Sequence, residues 1–346
     1  MQRSLPPPVD PGALPTALAP MQNVTDHAFL HVIADIGPPD YFFTEYFSVY
    51  PHSRLDPGIL RSITENGTGR PVFAQVLGND AEDLARVAAD LARYPVAGVD
   101  LNLGCPAPKI YKRNAGGGLL RDPEIVDAII GRMRERLDGR FSVKCRLGFA
   151  DDSHFERCLD SVRRHGVDFL TVHGRTVRQM YRGEVDYAGI AVAARRLDCP
   201  VFANGNLTSA SVACEVVRET GCFGAMVGRS AIRNPWIFRQ IRERSAGRPV
   251  FAPTLGDVRA YIDRLHRAKK PSGMEEKFLV AHLKRYLVFI GEGVDAGGRF
   301  LHEVRRVDGE ADLFRTCDRH LVEAGRSGMP FHGEPFEGVK ARPNRE

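Results

Sequence analysis

No apolar run in the 346-residue chain approaches 18 residues, so no membrane-spanning helix is expected. The first residues, Met1-Gln-Arg-Ser-Leu-Pro-Pro-Pro8, lack the apolar centre of a secretory signal, and none is expected. The seven cysteines, at 105, 145, 158, 199, 214, 222 and 317, include no CxxC pair. That spacing argues against a zinc site, and the odd count argues against a disulfide framework. Free thiols, no metal and a reducing, cytoplasmic setting are the expectation. No GxGxxG follows the first β-like run, which weighs against an open dinucleotide-binding sheet. Neither sign of charge dominates; a net charge of +5 permits a polyanionic partner without demanding one.

What the chain does have is repetition. Residues 1–15 hold five prolines and read as a loosely packed lead-in. Eight short apolar runs then recur: 17–21, 41–45, 72–77, 99–103, 141–147, 169–173, 201–204 and 224–228. Helical stretches follow most of them, opened by Asn79-Asp80, Asp122-Pro123, Thr208 and Asn234-Pro235. Between the second and third runs no helix is clearly marked. Eight buried strands alternating with helices predict a (β/α)8 barrel, a TIM barrel, over 16–250. Beyond about 250 the alternation stops. Segments 258–269, 275–290, 303–314 and 315–324 read as helices and predict an all-helical domain over 251–330, with a flexible tail over 331–346. Residues 259–285 carry eight Lys or Arg against three acids, a basic surface.

In such a barrel the chemistry sits where strands end at their C-terminal side. The run Gly98-Val-Asp-Leu-Asn-Leu-Gly-Cys-Pro106 alternates apolar and polar residues and then stops at a thiol. Pro106 turns the chain away after Cys105. The other strand ends offer Pro20-Met21, Gln75, Lys144 with Arg146, His173 with Arg175, Asn204-Gly205-Asn206 and Gly228-Arg229. The last two follow strands seven and eight, where barrels commonly hold a phosphate. Each residue also has a plainer reading: cysteines are often simply buried, a strand lysine often snorkels, and basic helices are often solvated faces.

The segments Asp100-Leu-Asn-Leu-Gly-Cys-Pro106, Asn114-Ala-Gly-Gly-Gly-Leu-Leu120, Val143-Lys-Cys-Arg-Leu-Gly148, Val172-His-Gly-Arg-Thr176, Ala203-Asn-Gly-Asn206 and Val227-Gly-Arg229 form an ordered set. In order and spacing the set resembles the bacterial tRNA-dihydrouridine synthases, over roughly residues 17–290. The resemblance implies an FMN-bearing barrel and a helical domain that helps bind tRNA. It implies reduction of the C5–C6 bond of particular uridines, an oxidoreductase acting on CH–CH bonds, with NADPH recharging the flavin. Carried over residue by residue, it assigns Pro20, Met21, Gln75, Lys144, His173, Asn204, Gly205, Asn206, Gly228 and Arg229 to the flavin. Asn102 falls to the uracil and Cys105 to the role of general acid. Arg146 and Arg182 are candidates for substrate contact. A thiol with an ordinary pKa of about 8.5 is protonated at neutral pH and suits that role. The glycines at 116–118, placed just after the thiol, suggest a loop able to close over substrate. A monomer is expected. Two rival readings remain at this level: a flavoenzyme of a free pyrimidine or dihydroorotate type, and a tRNA-binding factor whose catalysis is secondary.

Overall fold

The structure, a computed structural model, describes residues 4–270 and 274–341. Nine short strands form one parallel sheet: β1 (Thr16–Leu18), β2 (Phe42–Phe43), β3 (Phe47–Ser48), β4 (Val72–Leu77), β5 (Gly98–Leu103), β6 (Phe141–Arg146), β7 (Phe169–His173), β8 (Val201–Asn204) and β9 (Gly224–Val227). Neighbours run β1-β9-β8-β7-β6-β5-β4-β2, with β3 also on β4. The parallel bridge between Ala17 and Tyr41 brings β1 and β2 together and closes the ring. This is the (β/α)8 barrel that the eight runs predicted. The second run is the exception, for it is split into β2 and β3. Thr44 interrupts it: its hydroxyl accepts from Gln75 N (3.1 Å) and donates to Glu45 O (2.7 Å), so the side chain replaces a rung of the ladder.

The helix that the sequence marked poorly spans Pro57–Thr64. Asp56 caps it by accepting from Gly58 N and Ile59 N, and Pro57 occupies its first turn. This is the same Asp-Pro signal that opens the helix Pro123–Arg136. Helices Ala81–Leu91 and Ala210–Thr220 begin at Asp80 and Ser209 caps.

The barrel interior changes character with depth. At the N-terminal end of the strands Tyr41, Phe43, Phe73, Phe169, Phe202 and Met226 fill the bore. Phe43 stacks on Phe73 at 5.2 Å and Phe169 meets Phe73 edge-on at 5.2 Å, contacts worth about 0.5–1.5 kcal/mol each beyond simple burial. The proline-rich segment covers this floor and is better held than expected. Tyr41 OH donates to Pro6 O (2.7 Å), Arg140 Nε to Ser4 O (2.7 Å) and Arg70 to Pro7 O (3.0 Å). Residues 1–3 lie outside the described residues.

After helix Ile237–Ser245 come Leu255–Lys269, Glu276–Ile290, Arg299–Val304 and Glu310–Leu321. The last spans what the sequence divided at 314/315. Three side-chain contacts, one of them fully buried, tie these helices to the barrel: Tyr286 OH to Val24 O (2.8 Å), Tyr261 OH to Ile232 O (3.1 Å), and Lys269 with Asp26. The expected flexible tail is a packed strap across residues 331–341. Phe331 is buried, Arg233 Nε donates to Gly333 O (3.0 Å), and Glu292 accepts from Phe336 N and Ala341 N (2.9 and 2.8 Å). Residues 342–346 lie outside the described ones. Among the described residues no helix is long and apolar enough to cross a membrane, and no cluster of three or more His, Cys, Asp or Glu could hold a metal. All seven cysteines are free.

Candidate active site

Alternation puts Val99, Leu101 and Leu103 of β5 against the surrounding helices and turns Asp100 and Asn102 into the bore. Register then sets their neighbours. Asp100 lies beside Gln75 of β4 and Ser142 of β6, and Asn102 lies beside Lys144. Asp100, Gln75, Ser142 and Asn102 are joined by hydrogen bonds. Ser142 Oγ donates to Asp100 Oδ1 (2.6 Å) and Gln75 Nε2 to Asp100 Oδ2 (2.7 Å). Asn102 Nδ2 donates to Gln75 Oε1 (2.8 Å), and Asn102 Oδ1 accepts from Gly104 N (3.0 Å) and Cys105 N (2.9 Å). The turn that carries the thiol is therefore folded around the Asn102 amide.

A second network joins β6, β7 and β8. Asn204 Nδ2 donates to Met226 O (2.7 Å), which fixes the orientation of that amide. Its Oδ1 is then an acceptor, met by Lys144 Nζ (3.2 Å) and His173 Nδ1 (2.9 Å). His173 must donate from Nδ1, so its Nε2 carries the lone pair and faces Arg175 (3.4 Å). Burial, and then the charges of Arg146 and Lys144, hold the imidazole well below its usual pKa, and it is neutral at pH 7.

Positive charge accumulates at this mouth. Burial and then Arg146 lower the Lys144 ammonium to about 8; the side chain is partly exposed, but its charged end is enclosed by protein. Burial lowers Arg146 to about 10, with Arg175 and Arg229 adding repulsion. Arg175 is likewise lowered by burial and by Arg229. Asp100 is the carboxylate that acts on Lys144, and none ranks among the main groups acting on Arg146 or Arg175. Asp100 itself is lifted by burial to about 6. Burial also raises the Cys105 thiol above its ordinary value, against smaller opposing effects of the Ala107 backbone and Arg146. Cys105 is thus a thiol, not a thiolate, at neutral pH.

Gln75, Asn102, Lys144, His173 and Asn204 lie on five adjacent strands, Gln75 bonded to Asn102 and both Lys144 and His173 to Asn204. Met21 and Gly228 also meet: a Cβ on Gly228 would lie 3.8 Å from Met21 Sδ. Pro20 lies half-buried between β1 and Met21. Gly205 has φ +119°, which favours glycine, and Asn206 follows with φ +45°. Arg229 is exposed, its guanidinium 4.7 Å from the Tyr181 ring centre; Arg146 stands 5.5 Å from the same ring. Arg182 is exposed on that loop. Arg146 is 2% exposed and donates to Gly104 O (2.8 Å), Thr176 O (2.9 Å) and Met180 O (2.7 Å), so it knits the loops after β5 and β7.

The glycine segment differs from expectation. Residues 116–120 are buried in a 3-10 turn, and a Cβ on Gly117 would lie 2.5 Å from Val177 and 2.9 Å from Cys105 O. A Cβ on Gly118 would lie 2.6 Å from Tyr111 O. These glycines permit close packing beneath the thiol; they do not hinge a lid. Sequence reasoning also missed Asp100, Ser142 and Tyr181. Polar residues at alternate positions of a buried strand were the available signal for Asp100.

The side chains converge at the C-terminal mouth, where (β/α)8 barrels carry their chemistry, and they bring a thiol and several arginines and a lysine together there. The chain belongs to the dihydrouridine synthase family, whose model matches residues 17–288. It is 31% identical over 308 residues to a tRNA-dihydrouridine(16) synthase of Neisseria meningitidis, covering 86% of this chain and 92% of the relative. A protein of the same name from Ralstonia nicotianae is 31% identical over 328 residues, 90% of this chain and 98% of the relative. The tRNA-dihydrouridine synthase B of Proteus vulgaris is 34% identical over 229 residues, 65% of this chain and 69% of the relative.

Proposed function

We propose that the protein reduces the C5–C6 bond of a uridine in tRNA to dihydrouridine, with FMN as bound cofactor, NADPH as the reductant and Cys105 as proton donor. The observation that carries the reading is the pairing of a protonated, half-buried thiol with a cationic strand-end band. The residues fit a phosphorylated flavin. Lys144 offers an ammonium to an electron-rich ring edge. Gly205, Asn206, Gly228 and Arg229 follow β8 and β9, and an exposed arginine beside backbone suits a phosphate. FMN, when bound, would supply the hydride.

The chain's own residues do the rest. Lys144 stabilises negative charge on the ligand it meets. His173, held neutral with Nδ1 engaged, offers a lone pair at Nε2 and adds no charge. Cys105 holds the proton for the neighbouring carbon; burial keeps it on sulfur until transfer. A base in a folded tRNA must leave its stack to reach the thiol, at a cost of a few kcal/mol. Position 16 is the favoured target. The relatives named for it align over 308 and 328 residues, more than the barrel alone holds, so the likeness extends into the helical region. That region, with the basic stretch 259–285, is the proposed tRNA-binding unit, distinct from the barrel.

The test is direct. The purified protein should be yellow, release FMN on denaturation, be bleached by NADPH and regain colour on adding unmodified tRNA. Recolouring by free uracil but not by tRNA would replace this reading with the free-pyrimidine one.

A further inference from the structure

We propose that Asp100 is a positioning residue, which acts through the amides of Gln75 and Asn102 to fix the turn that carries Cys105. The proposal rests on the reading of Cys105 as proton donor. Its basis is the direction of the hydrogen bonds. An ionised carboxylate only accepts. Gln75 must therefore turn Nε2 to Asp100, and the contact is 2.7 Å. That leaves Gln75 Oε1 for the next residue, which meets Asn102 Nδ2 at 2.8 Å. Asn102 Oδ1 is then obliged to face the backbone, where it accepts from Gly104 N and Cys105 N. One carboxylate sets the sense of two amides and, through them, of the two N–H groups that hold the thiol's turn.

The reverse sense is excluded. If Asn102 turned its Nδ2 to the turn, two backbone donors would face a third donor in a buried site, a cost of about a lost hydrogen bond for each. Asp100, Gln75 and Asn102 are all buried, so water cannot repair the mismatch. The groups facing Asp100 are Gln75 on β4 and Ser142 and Lys144 on β6, of which only Lys144 is charged; it favours the ionised form. A further consequence concerns the ligand. The hydrogens left over on both amides are donors, so any ligand atom meeting them must be an acceptor, as ring carbonyl oxygens are.

The experiment uses the flavin-loaded full chain. Cys105 alkylation by iodoacetamide is timed by mass spectrometry of its peptide, beside the rate of uridine reduction in tRNA. Asp100→Leu removes the acceptor. Alkylation should quicken at least fivefold, and kcat should fall at least tenfold with KM for tRNA within about twofold. Asp100→Asn can still present Oδ1 to Gln75 and Nδ2 to a turned Ser142 hydroxyl, and should restore slow alkylation. If the leucine variant does not fold, Asp100→Ser replaces it. The double variant Asp100→Leu/Asn102→Ala should be no slower than Asn102→Ala alone, because both break one chain. Unchanged alkylation in both the leucine and serine variants, or effects that add fully in the double variant, would overturn the proposal. Because alkylation is read without tRNA, a protein inactive on tRNA would sink the functional reading and leave this test standing.

Discussion

Replacing Gly117 by alanine separates a packed turn from a mobile lid. Gly117 is not at positive φ, so alanine is allowed by the backbone. In a loop free to move, Gly→Ala stabilises by about 0.4–1 kcal/mol, since the unfolded chain loses freedom. Here the added methyl would meet Val177 Cγ2 at 2.5 Å and Cys105 O at 2.9 Å. Relieving that overlap moves the loop after β7 or the carbonyl of Cys105, and overpacking of this kind costs about 1–3 kcal/mol. Gly117 N also donates to Cys105 O at 3.2 Å, a bond worth about 0.5–1.5 kcal/mol that the displacement weakens. The two accounts differ in sign. Urea unfolding followed by circular dichroism should show Gly117→Ala destabilised by about 1–4 kcal/mol. A variant as stable as the parent, or more so, refutes the packed-turn account.

Cys105→Ala should keep its flavin spectrum and its bleaching by NADPH while losing tRNA-dependent recolouring. Recolouring at the parent rate would remove Cys105 from the reaction. Lys144, lowered to about 8, is protonated at pH 7 and loses its charge as pH rises through that value, so the rate of uridine reduction should fall on an alkaline limb near 8. Lys144→Arg should shift that limb upward; a limb unmoved by the substitution would assign it elsewhere. Arg146→Lys cannot reach all three carbonyls with one ammonium and should cost about 2–4 kcal/mol in urea unfolding. Phe331→Ala should cost about 3 kcal/mol if the C-terminal strap is packed as described, and near zero if it is loose.

The fold was legible because a buried parallel strand has a plain signature, a short apolar run between turn signals, and there were eight. The second strand misled because Thr44 is β-branched and reads as strand, while its hydroxyl takes the place of a backbone rung. Helix Pro57–Thr64 was missed although Asp56-Pro57 carries a regular start signal; its short apolar stripe hid it. The strap after 330 was invisible because polar Gly/Pro-rich sequence reads as loose, and only tertiary contacts to Arg233 and Glu292 tie it down.

At the site, the sequence showed which residues sit at strand ends but not what they touch. Arg146 illustrates the difference: its guanidinium is committed to three backbone carbonyls, which composition could not reveal. The glycines at 116–118 read from sequence as a loop free to close, because glycine's conformational freedom is visible there and its close packing is not. The distances to Val177, Cys105 and Tyr111 show close approach instead. Asp100 stood inside the motif that drew attention to Cys105 and passed for part of an alternating strand. Its role depends on pairings across three strands, which register alone sets.

We propose that Cys105 delivers a proton to a tRNA uridine at this barrel mouth. Unmodified tRNA treated with the parent protein, NADPH and FMN, then digested and mapped by mass spectrometry, tests it most directly. The account predicts a gain of two hydrogens at position 16 with the parent and none with Cys105→Ala. No gain at any uridine with the parent, or an equal gain with Cys105→Ala, would contradict it.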